Sequence, residues 1–201
     1  MISRFFLNMN ENDIFTMLFR AYYSEVGKRG DTREINEIRT KQLQSFATAL
    51  SKPTNGILIK GGVGNGKTTL RRAFCTTMKY LDEKGVFAED MRMAKKRFDP
   101  YLVGAVELSR IAGNDEKYND IKSKMVLLVD DIGKEPKEIQ SYGNIINPIE
   151  ELIEWRSERQ LFTIMTTNLD NTLLQAKYDL RTIDRLATFS QIVWRGTSYR
   201  H

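Results

Sequence analysis

A glycine-rich loop has the residue spacing of a phosphate-binding site. Gly61, Gly66, Lys67 and Thr68 fit the pattern G-x-x-x-x-G-K-[ST], and the stretch GGVGNGKTT follows the apolar run GILIK. Backbone N–H groups can surround the phosphates of a nucleotide only where no side chain blocks the approach, and glycines permit that approach. The helix that follows adds N-terminal donors and the positive end of its dipole.

We therefore predict that this loop binds the phosphates of a nucleoside triphosphate and is not a flexible linker. Lys67 is expected to bridge the terminal phosphates, and Thr68 is expected to bind Mg²⁺. The predicted nucleotide-binding residues are Gly61, Gly62, Val63, Gly64, Asn65, Gly66, Lys67, Thr68 and Thr69.

Two adjacent carboxylates follow a second apolar run. In MVLLVDDIG, Asp130 and Asp131 end a segment that is expected to be a buried strand. Like charges at such a position are unfavourable unless a cation or a proton offsets them. Asp130 is therefore predicted to bind Mg²⁺, and Asp131 is predicted to orient the attacking water. An ordinary polar strand end is the alternative.

A third apolar run, TIMTTNLD, ends in Thr166, Thr167 and Asn168. The Asn168 amide is predicted to hold the same water, although asparagine also begins turns and caps helices. The NKxD motif that reads guanine in many GTPases is absent, because TNLD lacks the lysine. Adenine is thus the expected base, and ATP/ADP with Mg²⁺ are the expected cofactors.

Five short apolar runs are predicted to form the sheet that positions these residues. The predicted strands are 56–60, 101–106, 125–131, 161–167 and 191–194, with helical patterns between them. Continuous apolar runs that alternate with helices are typical of a parallel sheet covered on both faces. The predicted fold class is α/β, a P-loop NTPase with a parallel sheet of about five strands flanked by helices.

The chain is expected to divide into a short N-terminal helical region, 1–50, and an ATPase core, 51–201. The aromatic-rich segment FFLNMNENDIFTMLFRAYY is expected to dock on this core or on a helix of a partner. Helices are predicted at 12–24, from a capping box at 31–34 to residue 50, at 67–81, at 86–99 and at 136–158, where Pro148 bends or delimits the helix.

The composition excludes several other classes of function. The 201-residue chain has a formal net charge of +5, one cysteine (Cys75) and one histidine (His201). Disulfide frameworks, most metal chemistry and histidine-based catalysis are therefore excluded. No run approaches the ~20 apolar residues of a membrane span, and the polar N-terminal segment does not resemble a signal peptide. A cytoplasmic protein with no membrane partner is expected.

The order of the motifs resembles that of the helicase-loader ATPases of the DnaC/DnaI type and the related IstB transposition ATPases, which belong to the AAA+ superfamily. The resemblance covers about residues 45–201, through GGVGNGKTT, LLVDDIG, TTNL, DLRTIDRL and GTSYR. It implies an AAA+ core in which residues 61–69 are the Walker A loop, Asp130 and Asp131 the Walker B pair, and Asn168 the first sensor.

The resemblance also implies roles for arginines near the C-terminus. Arg185, in DRL, matches the arginine finger that acts on nucleotide held by a neighbouring subunit, and Arg181 is a weaker candidate on the same helix face. Arg200, in SYR, matches a second sensor that contacts the nucleotide. A fixed guanidinium stabilises the negative charge that develops during phosphoryl transfer. A solvated surface charge is the alternative for each of them.

The function implied by the resemblance is that of an ATPase that loads the replicative DNA helicase. Such a protein hydrolyses ATP slowly as a monomer, forms a homo-oligomer when ATP is bound, and binds single-stranded DNA and helicase under nucleotide control. The basic segment 92–101, with Phe98 and Tyr101, is a candidate DNA surface, and a solvated helix face is its alternative.

Two departures from the AAA+ pattern keep other functions open. Asp131 stands where many AAA+ proteins have glutamate, which implies weaker activation of water, and no C-terminal lid domain is expected. The alternatives are an IstB-like ATPase that assists a transposase, a non-hydrolysing ATP-dependent DNA-binding adaptor, and a small-molecule kinase.

Overall fold

A five-stranded parallel sheet forms the centre of the protein, in the strand order β2-β3-β6-β1-β7. A computed structural model describes residues 5–28, 30, 35–86, 100–141 and 144–196. The strands of this sheet are β1 (Gly56–Lys60), β2 (Tyr101–Gly104), β3 (Val126–Ile132), β6 (Phe162–Thr167) and β7 (Ser190–Val193). This result confirms the predicted α/β class, with the sheet as predicted.

Helices cover both faces of the sheet, so its central strands are buried on both sides. In β1, Ile57 and Ile59 pack into one apolar cluster and Leu58 into the other, because successive side chains of a strand point to opposite faces. This two-sided burial explains why the strands appear in the sequence as unbroken apolar runs.

In the described ranges the helices are α1 (Glu11–Gly27), α2 (Glu37–Leu50), α3 (Lys67–Glu83), α4 (Ala105–Ile111), α5 (Asp115–Lys122), α6 (Pro148–Glu158), α7 (Asn171–Lys177) and α8 (Leu180–Ala187).

The two N-terminal helices pack on the core of their own chain. Ile14, Leu18 and Tyr22 of α1 share one buried cluster with residues of α2, α3 and β1. The ring of Phe5 stacks on that of Phe162 in β6, with 4.4 Å between the ring centroids. The first of the two docking alternatives for the aromatic segment is therefore the one observed, and the division of the chain at residue 50 stays a prediction.

The helix predicted at 136–158 is wrong in its first half. An antiparallel hairpin, β4 (Ile139–Ser141) and β5 (Asn144–Ile146), precedes α6. The helix begins at Pro148, which was predicted to bend or delimit it. The side chain of Asn147 caps this start by accepting from the N–H groups of Ile149 and Glu150.

Other predicted boundaries also differ from the structure. The strand predicted at 101–106 ends at Gly104, because α4 begins at Ala105 with Gly104 as its extended N-cap. The predicted capping box at 31–34 lies outside the described residues, and the side chain of Asn36 caps α2 instead. Most of the helix predicted at 86–99 also lies outside them.

Candidate nucleotide-binding site

The glycine-rich loop connects the buried strand β1 to the first turn of α3. Gly64 and Gly66 have left-handed backbone angles, with φ of 78° and 90°, and Gly66 stands directly before the helix as its N-cap. Such angles are readily adopted only by glycine, so these two positions explain part of the loop's composition. The predicted context of a strand before the loop and a helix after it is thus the observed one.

The ammonium group of Lys67 lies at the centre of this loop. Its Nζ donates to the carbonyl oxygens of Gly61 and Gly62, at 2.6 and 2.8 Å. It also donates to Oδ1 of Asn168, at 2.7 Å, on the neighbouring strand end. A longer contact of 3.5 Å reaches Oδ1 of Asn65. Lys67 is only 7% exposed, and these oxygens hold its charge between the loop and the end of β6.

A bulge at the end of β3 brings both acidic side chains to one cavity. The register between β3 and β6 shifts between Val129 and Ile132, and Asp131 has a φ of 56°. Successive strand residues normally point to opposite faces, but a bulge re-aims one of them. As a result Asp130 and Asp131 both line the cavity beside the glycine loop.

Both carboxylate oxygens of Asp130 have partners within the protein. Oδ1 accepts a hydrogen bond from the Thr166 hydroxyl at 2.5 Å, and Oδ2 pairs with Nη1 of Arg71 at 2.6 Å. The Thr166 hydroxyl also accepts from the N–H of Asp131, at 2.9 Å. Thr166 thus fixes the backbone and the side chain of the acidic pair together.

Asp131 and Asn168 complete the polar lining. Asn168 donates through Nδ2 to Oδ1 of Asp131 at 3.1 Å, and its own Oδ1 accepts from Lys67. Lys134 pairs with the other oxygen of Asp131, at 2.5 Å, from a side chain that is 53% exposed. Asn168 therefore links the proposed phosphate-binding lysine to the proposed water-orienting carboxylate.

These side chains enclose a cavity of about 110 Å³ at the carboxyl ends of β1, β3 and β6. Gly61 and Gly62 contribute their carbonyl groups to Lys67 beside it. The Thr68 hydroxyl and the Asp130 carboxylate are oxygen donors of the kind that Mg²⁺ prefers, so the residues present fit this ion. The lining residues are Val63, Gly64, Asn65, Gly66, Lys67, Thr68, Thr69, Asp130, Asp131, Lys134 and Asn168.

Arg181 and Arg185 are not among the residues that line this cavity. Arg181 and Arg185 lie on α8, where both pair with Glu154 of α6, at 2.7 and 3.4 Å. Asp179 caps this helix by accepting from the N–H of Thr182. Hydrogen bonds from the Thr182 side chain and, to a lesser extent, from this N–H lower the pKa of the Asp179 carboxyl. Arg200 lies outside the described residues. The cavity and the proposed finger therefore occupy different parts of the subunit.

The sequence pattern did not predict three contacts of the site. Arg71 follows Lys67 by four residues, so helical spacing alone would have placed it on the same side of α3. Lys134 follows Asp131 by three residues in a turn, which gives only a weak signal. The hydrogen bond from Arg39 to the carbonyl of Asn65 joins residues 26 positions apart, and no sequence pattern predicts it.

The predicted DNA-contacting segment lies largely outside the described residues. Tyr101 is 37% exposed at the edge of the sheet, and Nζ of Lys124 lies 5.6 Å from the centre of its ring. Trp194 is fully buried, as expected of a core residue.

In the described part of the chain, no helix is both long enough and apolar enough to cross a bilayer.

Comparison with known proteins shows similarity in fold. No protein family profile and no curated protein sequence matches the chain. The crystal structure of DnaI is 20% identical over 85% of this chain and 89% of that chain, with a TM-score of 0.59. A putative primosome component from Streptococcus pyogenes serotype M3 is 19% identical over 85% and 87%, with a TM-score of 0.60. The crystal structure of the DnaC helicase loader is 19% identical over 80% and 92%, with a TM-score of 0.58. The chain therefore shares the α/β fold of the DnaI and DnaC structures.

Proposed function

We propose that the protein is an ATP-binding and slowly hydrolysing AAA+ ATPase that acts in the cytoplasm to load the replicative DNA helicase. One observation supports the nucleotide site above all others: Lys67 is held between the glycine loop and Asn168, with the bulged acidic pair beside it. The partner in the proposal comes from the fold, which is shared with a structure described as a helicase loader.

Each side chain of the cavity has a task in this proposal. Lys67 neutralises the terminal phosphates, and the Thr68 hydroxyl and Asp130 hold Mg²⁺, which offsets phosphate charge. Asp131 accepts a proton from the attacking water, and the Asn168 amide keeps that water in line. Arg200 contacts the bound nucleotide as a second sensor.

The position of Arg185 supports a shared site between subunits. Its guanidinium is engaged by Glu154 and Glu158 at 3.4 and 3.7 Å, and it is not among the residues that line its own cavity. In this proposal Arg185 acts on the nucleotide of a neighbouring subunit, where such a guanidinium contributes on the order of 10³–10⁵ in rate. Slow turnover by the monomer and faster turnover in a homo-oligomer follow from this arrangement.

Binding is tested by calorimetry with ATP and Mg²⁺ on wild type and Lys67→Met. Lys41→Met is the matched control, because Lys41 pairs with Glu37 on the surface of α2 and is 77% exposed. We expect Lys67→Met to abolish the heat of binding and Lys41→Met to retain it. An equal heat for wild type and for Lys67→Met, with both proteins folded by circular dichroism, contradicts the site.

The shared site is tested by mixing two inactive variants. Lys67→Met keeps Arg185 but loses its own nucleotide, and Arg185→Ala binds nucleotide but lacks the finger. We expect each alone to be inactive and the mixture to recover part of the turnover. Arg181→Ala, on the same helix and paired with the same Glu154, is the control and is expected to remain active. No recovery at concentrations where wild type assembles contradicts action in trans.

One observation favours a second candidate, an adaptor that uses ATP only as a structural ligand. Lys134 occupies one oxygen of Asp131 and Asn168 the other, so the proposed base is already engaged. Lys134 is 53% exposed, so this ion pair is weak in water. The adaptor predicts that Asp131→Asn leaves ATP-dependent DNA binding intact and that wild type releases no phosphate. Capture of the helicase or of a transposase from the same cell separates the loader from the IstB-like alternative.

A further inference from the structure

The carbonyl group of Asn65, inside the glycine loop, accepts two hydrogen bonds from outside the cavity. Its oxygen lies 2.7 Å from Nη2 of Arg39 and 2.9 Å from Nε1 of Trp194. The side chain of Asn65 donates in return to the backbone oxygen of Trp194, at 2.5 Å. Asn65 is 2% exposed, so the middle of the loop is fixed by α2 and by the end of β7.

Arg39 is a buried cation, and one of its hydrogen bonds goes to this carbonyl. It is 2% exposed, and among the described residues no carboxylate pairs with it. Its guanidinium lies 4.4 Å from the ring centre of Trp194, and Nη1 donates to the Gln42 side chain at 2.7 Å. Cation–π contact and hydrogen bonds offset the cost of burying this charge.

Gln42 extends the same network to the residues that follow β7. Its amide donates to the carbonyl groups of Val193 and Arg195, at 3.2 and 3.0 Å. Helix α2 is therefore connected directly to the glycine loop and to the segment that leads towards the C-terminus. The N-terminal helical region thus contributes to the geometry of the nucleotide site.

We infer that Arg39 is a positioning residue for nucleotide binding, and this inference rests on the proposed function. A loop that binds phosphates must present its N–H groups to them, and a carbonyl oxygen turned into the cavity repels the anion. Arg39 and Trp194 hold the Asn65 carbonyl by two donors that stand behind the loop. Loss of either donor lets this peptide group rotate and weakens the cradle.

The chain offers an internal reporter for this arrangement. It contains two tryptophans, Trp155 and Trp194, so a Trp155→Phe background leaves only the indole that bonds to the loop. In this background we expect ATP with Mg²⁺ to change the emission of Trp194, because its Nε1 partner belongs to the phosphate-binding loop. A residue that only supported the fold would not couple this signal to nucleotide.

The test compares Arg39→Met, Arg39→Lys and Arg110→Met in this background, with Arg110 as an exposed arginine of α4. We expect Arg39→Met to weaken ATP binding by about tenfold or more, since it loses a hydrogen bond from a charged donor. The KM for ATP should rise while kcat at saturating ATP stays close to that of wild type. Arg39→Lys, which keeps the charge, should recover part of the affinity, and Arg110→Met should match wild type.

The possible failures can be told apart. If the Trp155→Phe protein binds no ATP, the proposed function and this inference both fall. If Arg39→Met folds, binds ATP within twofold of its parent and keeps the emission change, only the inference falls. Should Arg39→Met not fold, Trp194→Phe removes the other donor to the same carbonyl, and calorimetry must show the same loss of affinity. Unchanged affinity in folded Trp194→Phe also overturns the inference.

Discussion

Arg71 pairs with Asp130, the proposed Mg²⁺ ligand, and a double-mutant cycle measures what this ion pair contributes to stability. Nη1 of Arg71 lies 2.6 Å from Oδ2 of Asp130, and the two side chains are 9% and 22% exposed. The cycle compares wild type, Arg71→Met, Asp130→Asn and the double variant. Met keeps much of the stem of the arginine, and Asn keeps the shape of the aspartate without its charge.

The expected magnitude lies between two limits. Breaking a fully buried ion pair by removing one partner costs about 3–5 kcal/mol, whereas exposed pairs contribute about 1 kcal/mol or less. Because Asp130 keeps some contact with water and the Thr166 hydroxyl, we expect Arg71→Met to lower the free energy of unfolding by about 2–3 kcal/mol. The double variant leaves no uncompensated charge, so the coupling energy should be about 2 kcal/mol.

Urea unfolding followed by circular dichroism gives the four free energies, and the series is repeated with Mg²⁺. We expect Mg²⁺ to stabilise Arg71→Met more than wild type, because the ion can replace the missing positive charge at Asp130. Mg²⁺ at ten times its dissociation constant would restore about 1.4 kcal/mol. Asp130→Asn, which lacks the carboxylate, should not respond in this way.

A coupling energy below about 0.5 kcal/mol would refute this reasoning, because it would make the two residues energetically independent. Equal stabilisation of wild type and Arg71→Met by Mg²⁺ would refute the second part. In that case the ion does not compete with Arg71 for the carboxylate.

Two further substitutions test the loop and the helix that carries the proposed finger. A Cβ on Gly61 would lie 2.2 Å from the backbone oxygen of Trp194, so Gly61→Ala should lower the free energy of unfolding by about 1–3 kcal/mol and weaken ATP binding. Gly113→Ala, whose Cβ would meet its nearest atom at 3.9 Å, is the control in urea unfolding and calorimetry. Asp179→Ala removes the cap on the N–H of Thr182 and should cost about 1 kcal/mol near neutral pH. The pKa of Asp179 is lowered in the folded protein, so this difference should persist above the unfolded pKa of about 3.9 and disappear as the pH falls through the lower folded value. Asp179→Asn should keep the cap throughout the pH series.

The parts of the site that the sequence predicted are those set by local chemistry. A strand, a glycine loop and a helix follow one another within residues 56–83, and two carboxylates end an apolar run. Parallel strands bring their carboxyl ends to one edge, so the loop, Asp130 and Asn168 had to meet there.

The parts that escaped prediction depend on contacts between distant segments or on local backbone irregularity. The apolar residues of β4 and β5 have the spacing of one face of a helix, so the sequence predicted a helix there. In the structure the two strands pair with each other, and Ile145 is 67% exposed. The bulge that turns Asp130 and Asp131 to one cavity leaves no mark in the residue pattern. Arg39 of α2 lies against the rings of Tyr22 in α1 and Trp194 just after β7. Its burial therefore depends on segments from both ends of the chain.

The left-handed backbone at Asp131 bears on the choice of acid at that position. Among residues other than glycine, aspartate and asparagine are the ones that most readily adopt a φ such as its 56°. Glutamate lacks that preference and carries one more methylene group. The short carboxylate at this position is therefore compatible with the backbone that turns both acids of β3 towards one cavity.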